Sequence, residues 1–440
     1  MINRKSNINK SHLSCQLTTG VVARPNGEII ELGGYAAVGM SGDLLVTLSL
    51  KNTVNMPFGG ELMLLPDRLP VLFNIIEKRF EVIKENPYYP GERLFPVAAF
   101  NSPGYFNSLL CAYEEDKNSG VLPLFSYGAV GWHKGRFRTS SILVDSEKRQ
   151  DLRLMKSADV IAGVDYVKNI MPQNRLREHL EKCALEYGCP AAKNFFLGRF
   201  EAPLPSSKTC NAKCIGCISF QESDGIKCSQ ERIAFAPRPE EIAEVALFHI
   251  QRVDRAVVSF GQGCEGDPLF AAHIIEPAIR LIRLKTDSGT INMNTNGSKP
   301  GIIKDLFSAG LDSIRISLNS VREKCYNAYF RPVGYNFSDV EKSIETAIRN
   351  NKFVSINFLN CAGFTDTPKE LDALTAFLEK YSVNMIQWRN LNFDPKKYYE
   401  IMESVETSGA PLGMEKIFKT IKKRFPKIRH GYFNPSKEDF

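Results

Sequence analysis

Three thiols are the residues most able to do chemistry. Cys210, Cys214 and Cys217 stand in Thr209-Cys-Asn-Ala-Lys-Cys-Ile-Gly-Cys217, a C-x3-C-x2-C spacing. A structural zinc site draws four ligands, usually as two close pairs. Here one tight loop offers three, with no second pair. Three thiolates suit a [4Fe-4S] cluster, which is normally held by four cysteines, with one iron left open to a small molecule. On spacing alone two other readings stand: three free thiols in a loop, or a zinc site completed by Cys228. A second candidate is Gly261-Gln-Gly-Cys-Glu-Gly-Asp-Pro268, where three glycines in six residues follow an apolar run. Such a loop either bends tightly or lets its backbone approach something closely.

The elements that must position these loops are legible downstream of the cysteines. Short apolar runs alternate with amphipathic ones, the pattern of βα units around a parallel sheet. Strands are predicted at 195–202, 256–260, 291–294, 313–317, 353–359 and 384–389. Helices are predicted at 270–284, at 299–309 with Gly310 as a stop, at 337–350, and at 367–380 with Pro368 and Glu370 in the first turn. The cysteine loop falls after the first strand and the glycine loop after the second. In parallel β/α folds, chemistry gathers on such loops.

Together these segments resemble the radical S-adenosylmethionine (SAM) superfamily over roughly residues 195–395. The resemblance implies a partial (βα)6 TIM-like barrel, a [4Fe-4S] cluster on Cys210, Cys214 and Cys217, and SAM chelating the open iron. It also implies reductive cleavage of SAM to methionine and a 5′-deoxyadenosyl radical, a low-potential electron donor of ferredoxin or flavodoxin type, and oxygen sensitivity. Glu265-Gly-Asp-Pro268 resembles the family's Gly-Gly-Glu-Pro element, which lines the methionine end of SAM. Asp267 stands where glutamate is usual, and Gly216 where the family often has an aromatic residue. Asn294 and Asn296 in Asn292-Met-Asn-Thr-Asn-Gly297, with Ser317 and Asn319 after the fourth strand, are the implied ribose and carboxylate contacts. Arg331 adds a guanidinium suited to a carboxylate. Taken one at a time, the Asn and Ser residues also read as turn and helix-start residues, and Arg331 as a surface arginine.

Composition sets outer bounds. The chain has 440 residues, 43% of them apolar, and a net charge of +7; two domains are the prior for that length. The first fourteen residues are polar, unlike a signal peptide, and no stretch approaches the roughly 18 apolar residues of a membrane span. Eleven cysteines without export signals point to a reducing cytoplasm. Residues 1–150 read as a small, mostly-β domain. Hairpin turns are predicted at Pro25-Asn-Gly27 and His133-Lys-Gly135, a break at 39–42 between two further runs, and one helix over 70–84. Residues 151–193 read as a helical bridge, 194–395 as the barrel and 396–440 as a helical basic tail. That tail gathers Lys416, Lys419, Lys422, Lys423, Arg424, Lys427 and Arg429, a solvated helix face or, as a secondary reading, an RNA patch.

Eight cysteines remain: Cys15, Cys111, Cys183, Cys189, Cys228, Cys264, Cys325 and Cys361. Cys264, Cys325 and Cys361 lie near strand ends, where they could hold a second cluster or carry a radical; idle buried thiols are the alternative. In Met385-Ile-Gln-Trp-Arg-Asn-Leu-Asn392, apolar residues alternate with Gln387 and Arg389, giving one polar face. These two, with Asn390 and Asn392, are the substrate candidates. The rival functions are a radical SAM enzyme acting on RNA or on a peptide, and a zinc-stabilised binding protein with no activity.

Overall fold

The computed structural model describes residues 16–116, 119–222, 225–407 and 409–440. The polar amino-terminal stretch and Cys15 lie outside them. The chain divides into two compact units. One consists of residues within 1–101, 107–120 and 127–142, the other of 102–106, 121–126 and 143–440.

The first unit is antiparallel β throughout its described strands. Thr19–Ala23 pairs with Ile29–Ala36 around the turn at Gly27, whose φ is 86°. Val130–His133 pairs with Arg136–Thr139 around Lys134 and Gly135, both in the left-handed region, the turn that matches strand twist. Two expectations are corrected. The helix over 70–84 is a hairpin: Arg68–Asn74 pairs with Arg79–Val82. The Asn74 side-chain oxygen accepts from the Ile76 and Glu77 amides at 3.0 Å each, which closes a turn inside the apolar run. The break at 39–42 is narrower than predicted, because Val38–Ser41 is itself a strand and only residues 42–43 turn into Leu44–Thr47. Val21, Ala23, Val97, Ala99 and Val130 form one apolar cluster of this unit.

The second unit opens with α1 (Ser157–Ile170), α2 (Arg175–Leu185) and α3 (Pro190–Leu197), followed by β1 (Glu201–Pro203) and α4 (Pro239–Arg252). Next come β2 (Val257–Phe260), α5 (Ala272–Arg283), β3 (Thr290–Thr295), α6 (Pro300–Ala309) and β4 (Ser313–Leu318). Then follow α7 (Glu323–Phe330), α8 (Phe337–Arg349), β5 (Phe353–Asn360), α9 (Pro368–Lys380) and β6 (Met385–Asn390). The series closes with α10 (Pro395–Val405), α11 (Met414–Arg424) and β7 (Arg429–Gly431). Strands β1 to β7 form one sheet in chain order, every pair parallel.

Three boundaries differ from the sequence reading. The predicted strand over 195–202 is mostly the end of α3: Pro190 starts that helix, and Gly198, left-handed at φ 63°, ends it before β1. The sheet has a seventh strand beyond the six expected. Residues 396–440, expected to be helical, hold α10 and α11 and then β7. Helix α11 buries Met414, Ile417 and Ile421 and turns its lysines outward, with Lys419 paired to Glu415 and Arg424 to Glu379.

Alternation along the strands gives the sheet an apolar face under the helices and a polar inner face. On β3, Ile291 and Met293 are fully buried, while Asn292 and Asn294 take the other side. The inner face is curled, as one residue after β7 demonstrates. The Asn434 amide donates to Glu201 of β1 at 2.8 Å and to Ser259 of β2 at 3.3 Å. Its oxygen accepts from Gln387 of β6 at 2.9 Å and from Arg315 of β4 at 3.3 Å. A flat sheet would hold those strands too far apart for one side chain to reach them all. Nearby, Lys437 donates its amide to Thr290 at the start of β3, and Phe440 stacks on Phe353 at the start of β5. Residues 434–440 therefore cover the amino-terminal ends of the strands.

Candidate cofactor site

The three cysteines occupy the loop that follows β1, and all three are half-buried. The loop is fastened on two sides. On one, Lys213 and Ile215 donate their amides to the carbonyls of Phe330 and Tyr329 at the end of α7, at 2.9 and 3.1 Å, and Val333 donates to Asn211 at 2.8 Å. On the other, the glycine loop after β2 donates from Gly266 to Ser207 at 2.7 Å and from Asp267 to Thr209 at 2.9 Å. A Cβ on Gly266 would overlap the Thr209 carbonyl, and one on Gly261 would overlap the Asn294 carbonyl, so these glycines mark close backbone approach.

The carboxylates of the glycine loop are organisers of this corner. Glu265 is buried and accepts four amides: Ser206 and Ser207 from the cysteine loop at 2.8 and 3.0 Å, Gly261 and Gln262 from its own turn at 2.6 and 2.7 Å. Burial pushes its carboxyl up to about 7, against those four donors, which favour the ionised form. Asp267 accepts the Asn296 amide at 2.7 Å, the Leu269 amide at 3.0 Å and the Thr295 hydroxyl at 2.9 Å. Burial likewise pushes Asp267 up. Pro268 follows as the first residue of a short 3-10 turn.

The structure brings part of the implied contact set together. Asn296 donates its side-chain amide to Asn211 of the cysteine loop at 2.8 Å, which ties the end of β3 to the thiols. Asn294 lies beside the glycine loop and donates to the Gly261 carbonyl at 3.1 Å. Ser317 is half-buried on β4. Asn319 is fully buried, with its amide on the Cys325 carbonyl at 3.2 Å and the Tyr398 hydroxyl at 3.1 Å, so it holds α7 and α10. Arg331 is exposed and left-handed at φ 46°, capping α7. The substrate candidates Gln387 and Arg389 meet the chain's own 432–434 segment: Gln387 bonds Asn434, and Arg389 donates to the Tyr432 carbonyl at 2.6 Å and lies over its ring. Asn390 donates to Tyr105 at 3.1 Å.

Several neighbours escaped the sequence. A Cβ on Gly216 would stand 2.8 Å from the Tyr329 hydroxyl, so α7 packs closely against the thiol loop there. Arg232 places its guanidinium 3.7 Å from the Cys217 sulfur, while the Gln221 amide holds the Cys217 carbonyl at 2.6 Å. The grouping of Cys264 with Cys325 and Cys361 is not formed. Cys325 is buried beside Arg322 and Glu370, and Cys361 beside Tyr399 and Asp366. Cys264 turns instead toward Cys183.

The donor set fits a cluster. Three thiols share one loop whose backbone is fixed by neighbouring elements. Burial pushes Cys210 up to about 11 and raises Cys214 as well, so metal uptake at this loop would be coupled to proton release.

Residues 204–378 match the family model described as the Radical SAM superfamily. The chain is 27% identical over 181 residues to the GTP 3',8-cyclase of Thermodesulfovibrio yellowstonii, covering 41% of this chain and 53% of that protein. It thus spans about half the length of this curated relative. Among solved structures, it is similar to HydG, a maturase of the [FeFe]-hydrogenase, at 16% identity and a TM-score of 0.35, covering 65% of this chain and 71% of that one. It is also similar to native anSMEcpe with bound AdoMet, at 16% identity and a TM-score of 0.37, covering 53% and 63%. Among the described residues no helix is long and apolar enough to cross a membrane.

Proposed function

We propose, from the match of residues 204–378 to the Radical SAM superfamily model, that the chain is a radical SAM enzyme whose cluster is held by Cys210, Cys214 and Cys217. The observation that carries this reading is the double fastening of the thiol loop, to α7 on one side and to the Gly261–Pro268 loop on the other. When bound, the cluster and SAM supply a 5′-deoxyadenosyl radical, formed with an electron from a low-potential donor, that removes hydrogen from a substrate carbon.

The chain's own residues bind and orient. The three thiols would hold the cluster as thiolates. Asn211, Asn296 and Ser298 form one hydrogen-bonded set beside them. The backbone from Glu265 to Pro268, with Asn294 and Asn296, offers polar groups to the amino-acid end of SAM, and Ser317 offers a hydroxyl to its ribose. Glu265 and Asp267 act through the backbone they hold, since their oxygens already accept amides and a hydroxyl. A short carboxylate at 267 suits that task, because it reaches Thr295 and Asn296 across the loop. The reaction belongs to a reducing, cytoplasmic setting, and the protein's part is to exclude water and position the reactants.

The test is anaerobic reconstitution followed by iron and sulfide analysis, then dithionite, SAM and chromatographic detection of 5′-deoxyadenosine. We expect about four irons per chain and cleavage of SAM, both lost in Cys214→Ala. Zinc in place of iron, or equal cleavage by wild type and variant, would overturn the proposal.

A further inference from the structure

A second set of metal-ligating side chains meets outside the cluster loop. His179 and Cys183 are four residues apart on α2 and so share one helix face, the spacing by which paired helical ligands hold an ion. The His179 ring nitrogen lies 3.5 Å from the Cys183 sulfur. Cys264, in the glycine loop after β2, approaches the same point. The ligand atoms of the three lie within 4.8 Å of one another, and among the described residues no other His, Cys, Asp and Glu set is as tight.

The surroundings are those of a built site. Cys183 and Cys264 are 1% and 5% exposed, and His179 is half-buried against Phe235. The backbone at each thiol is fixed: Ile233 donates to the Cys264 carbonyl at 2.8 Å, and Cys189 donates to the Cys183 carbonyl at 2.9 Å. That bond seats Cys189, the residue before α3, beside Cys183. Buried thiols with no further purpose pack against hydrocarbon. These two face each other and an imidazole.

We propose that His179, Cys183 and Cys264 bind one soft divalent ion of the zinc class, with Cys189 reaching the fourth position. Two or three thiolates and an imidazole are the ligand set such ions prefer, and a closed tetrahedral set is structural. The consequence is mechanical. Cys264 is the residue before Glu265, so the ion fastens α2 to the loop that organises the cofactor corner. It acts there as a positioning element, separate from the cluster cysteines.

The experiment compares anaerobically purified full-length wild type, the Cys210→Ala/Cys214→Ala/Cys217→Ala triple variant, Cys264→Ser and His179→Ala by elemental analysis. We expect about one zinc per chain in wild type and in the triple variant, and a loss of most of it in Cys264→Ser and His179→Ala. Because the triple variant lacks the cluster thiols, this result is independent of the radical SAM reading. A measurement without substitution guards against misfolded variants. Cobalt(II) added to metal-stripped triple variant should give the intense thiolate charge-transfer and tetrahedral visible bands of a sulfur-rich site. Absence of those bands overturns the proposal. So does zinc retained in both single variants, or intact-mass detection of a Cys183–Cys264 disulfide in metal-free anaerobic protein.

Discussion

A methyl group at 266 has nowhere to go. The Thr209 carbonyl already fills that position, and the two loops are joined there by the amides of Gly266 and Asp267. Gly266→Ala must therefore spread the glycine loop from the thiol loop, with overpacking strain of about 1–3 kcal/mol. We expect the variant to fold, to reconstitute less than half the wild-type iron and to cleave SAM correspondingly slowly; full iron content at unchanged far-ultraviolet dichroism would show that the contact is dispensable. The motifs at this scale were plain in the sequence because cysteine spacing and glycine clustering are local signals. What each carboxylate bonds was not. Glu265 gathers amides from both loops, and no linear spacing reveals that its partners include Ser206 and Ser207. His179 and Cys183 were equally hidden, since their i, i+4 spacing gains meaning only when Cys264 arrives from a distant loop.

At the scale of elements, the βα alternation was readable because parallel strands are short apolar runs and their helices carry capping signals. Errors fell where a run was apolar on both faces or too short. Residues 70–84 were read as a helix because apolar positions crowd there, yet Asn74 breaks the run into two strands. Strand β7 is only three residues long and carries no apolar pattern, so the basic stretch around it read as part of a tail. Its real anchor is Asn434. Arg315 is half-buried, and desolvation with the nearby Arg389 charge pushes it down to about 9. Asn434→Ala removes an oxygen that Arg315 and Gln387 bond and an amide that Glu201 bonds. We expect a loss of about 2–4 kcal/mol in chemical denaturation. Stability within about 0.5 kcal/mol of wild type would mean that water substitutes freely for the amide.

At the scale of the whole molecule, acid sensitivity follows from two histidines. His249 is buried, with a ring nitrogen 3.2 Å from the Phe200 carbonyl, and burial lowers it to about 4. His430 accepts the Trp388 indole N–H at 2.9 Å and is also lowered by burial to about 4. Both are neutral in the fold, whereas the unfolded chain protonates them near 6.5. Their contribution is present above pH 6.5 and is lost as pH falls from there to about 4. Glu265, raised by burial to about 7, works in the opposite sense over the same window. The test is therefore differential: we expect His430→Gln, which keeps an acceptor for Trp388 but cannot titrate, to lose less urea-midpoint stability than wild type between pH 7 and 4.5. An unchanged slope in that variant would assign the acid response to other groups.

The reach of Asn434 has a consequence for biosynthesis. Glu201 and Asn434 are 233 residues apart. While the ribosome is still making the intervening segment, the strands can pair, but their inner charged row faces no partner. The unit completes late, after residue 434 has emerged, so its nascent form is long-lived and aggregation-prone. A stop codon between β6 and residue 434 should thus yield inclusion bodies.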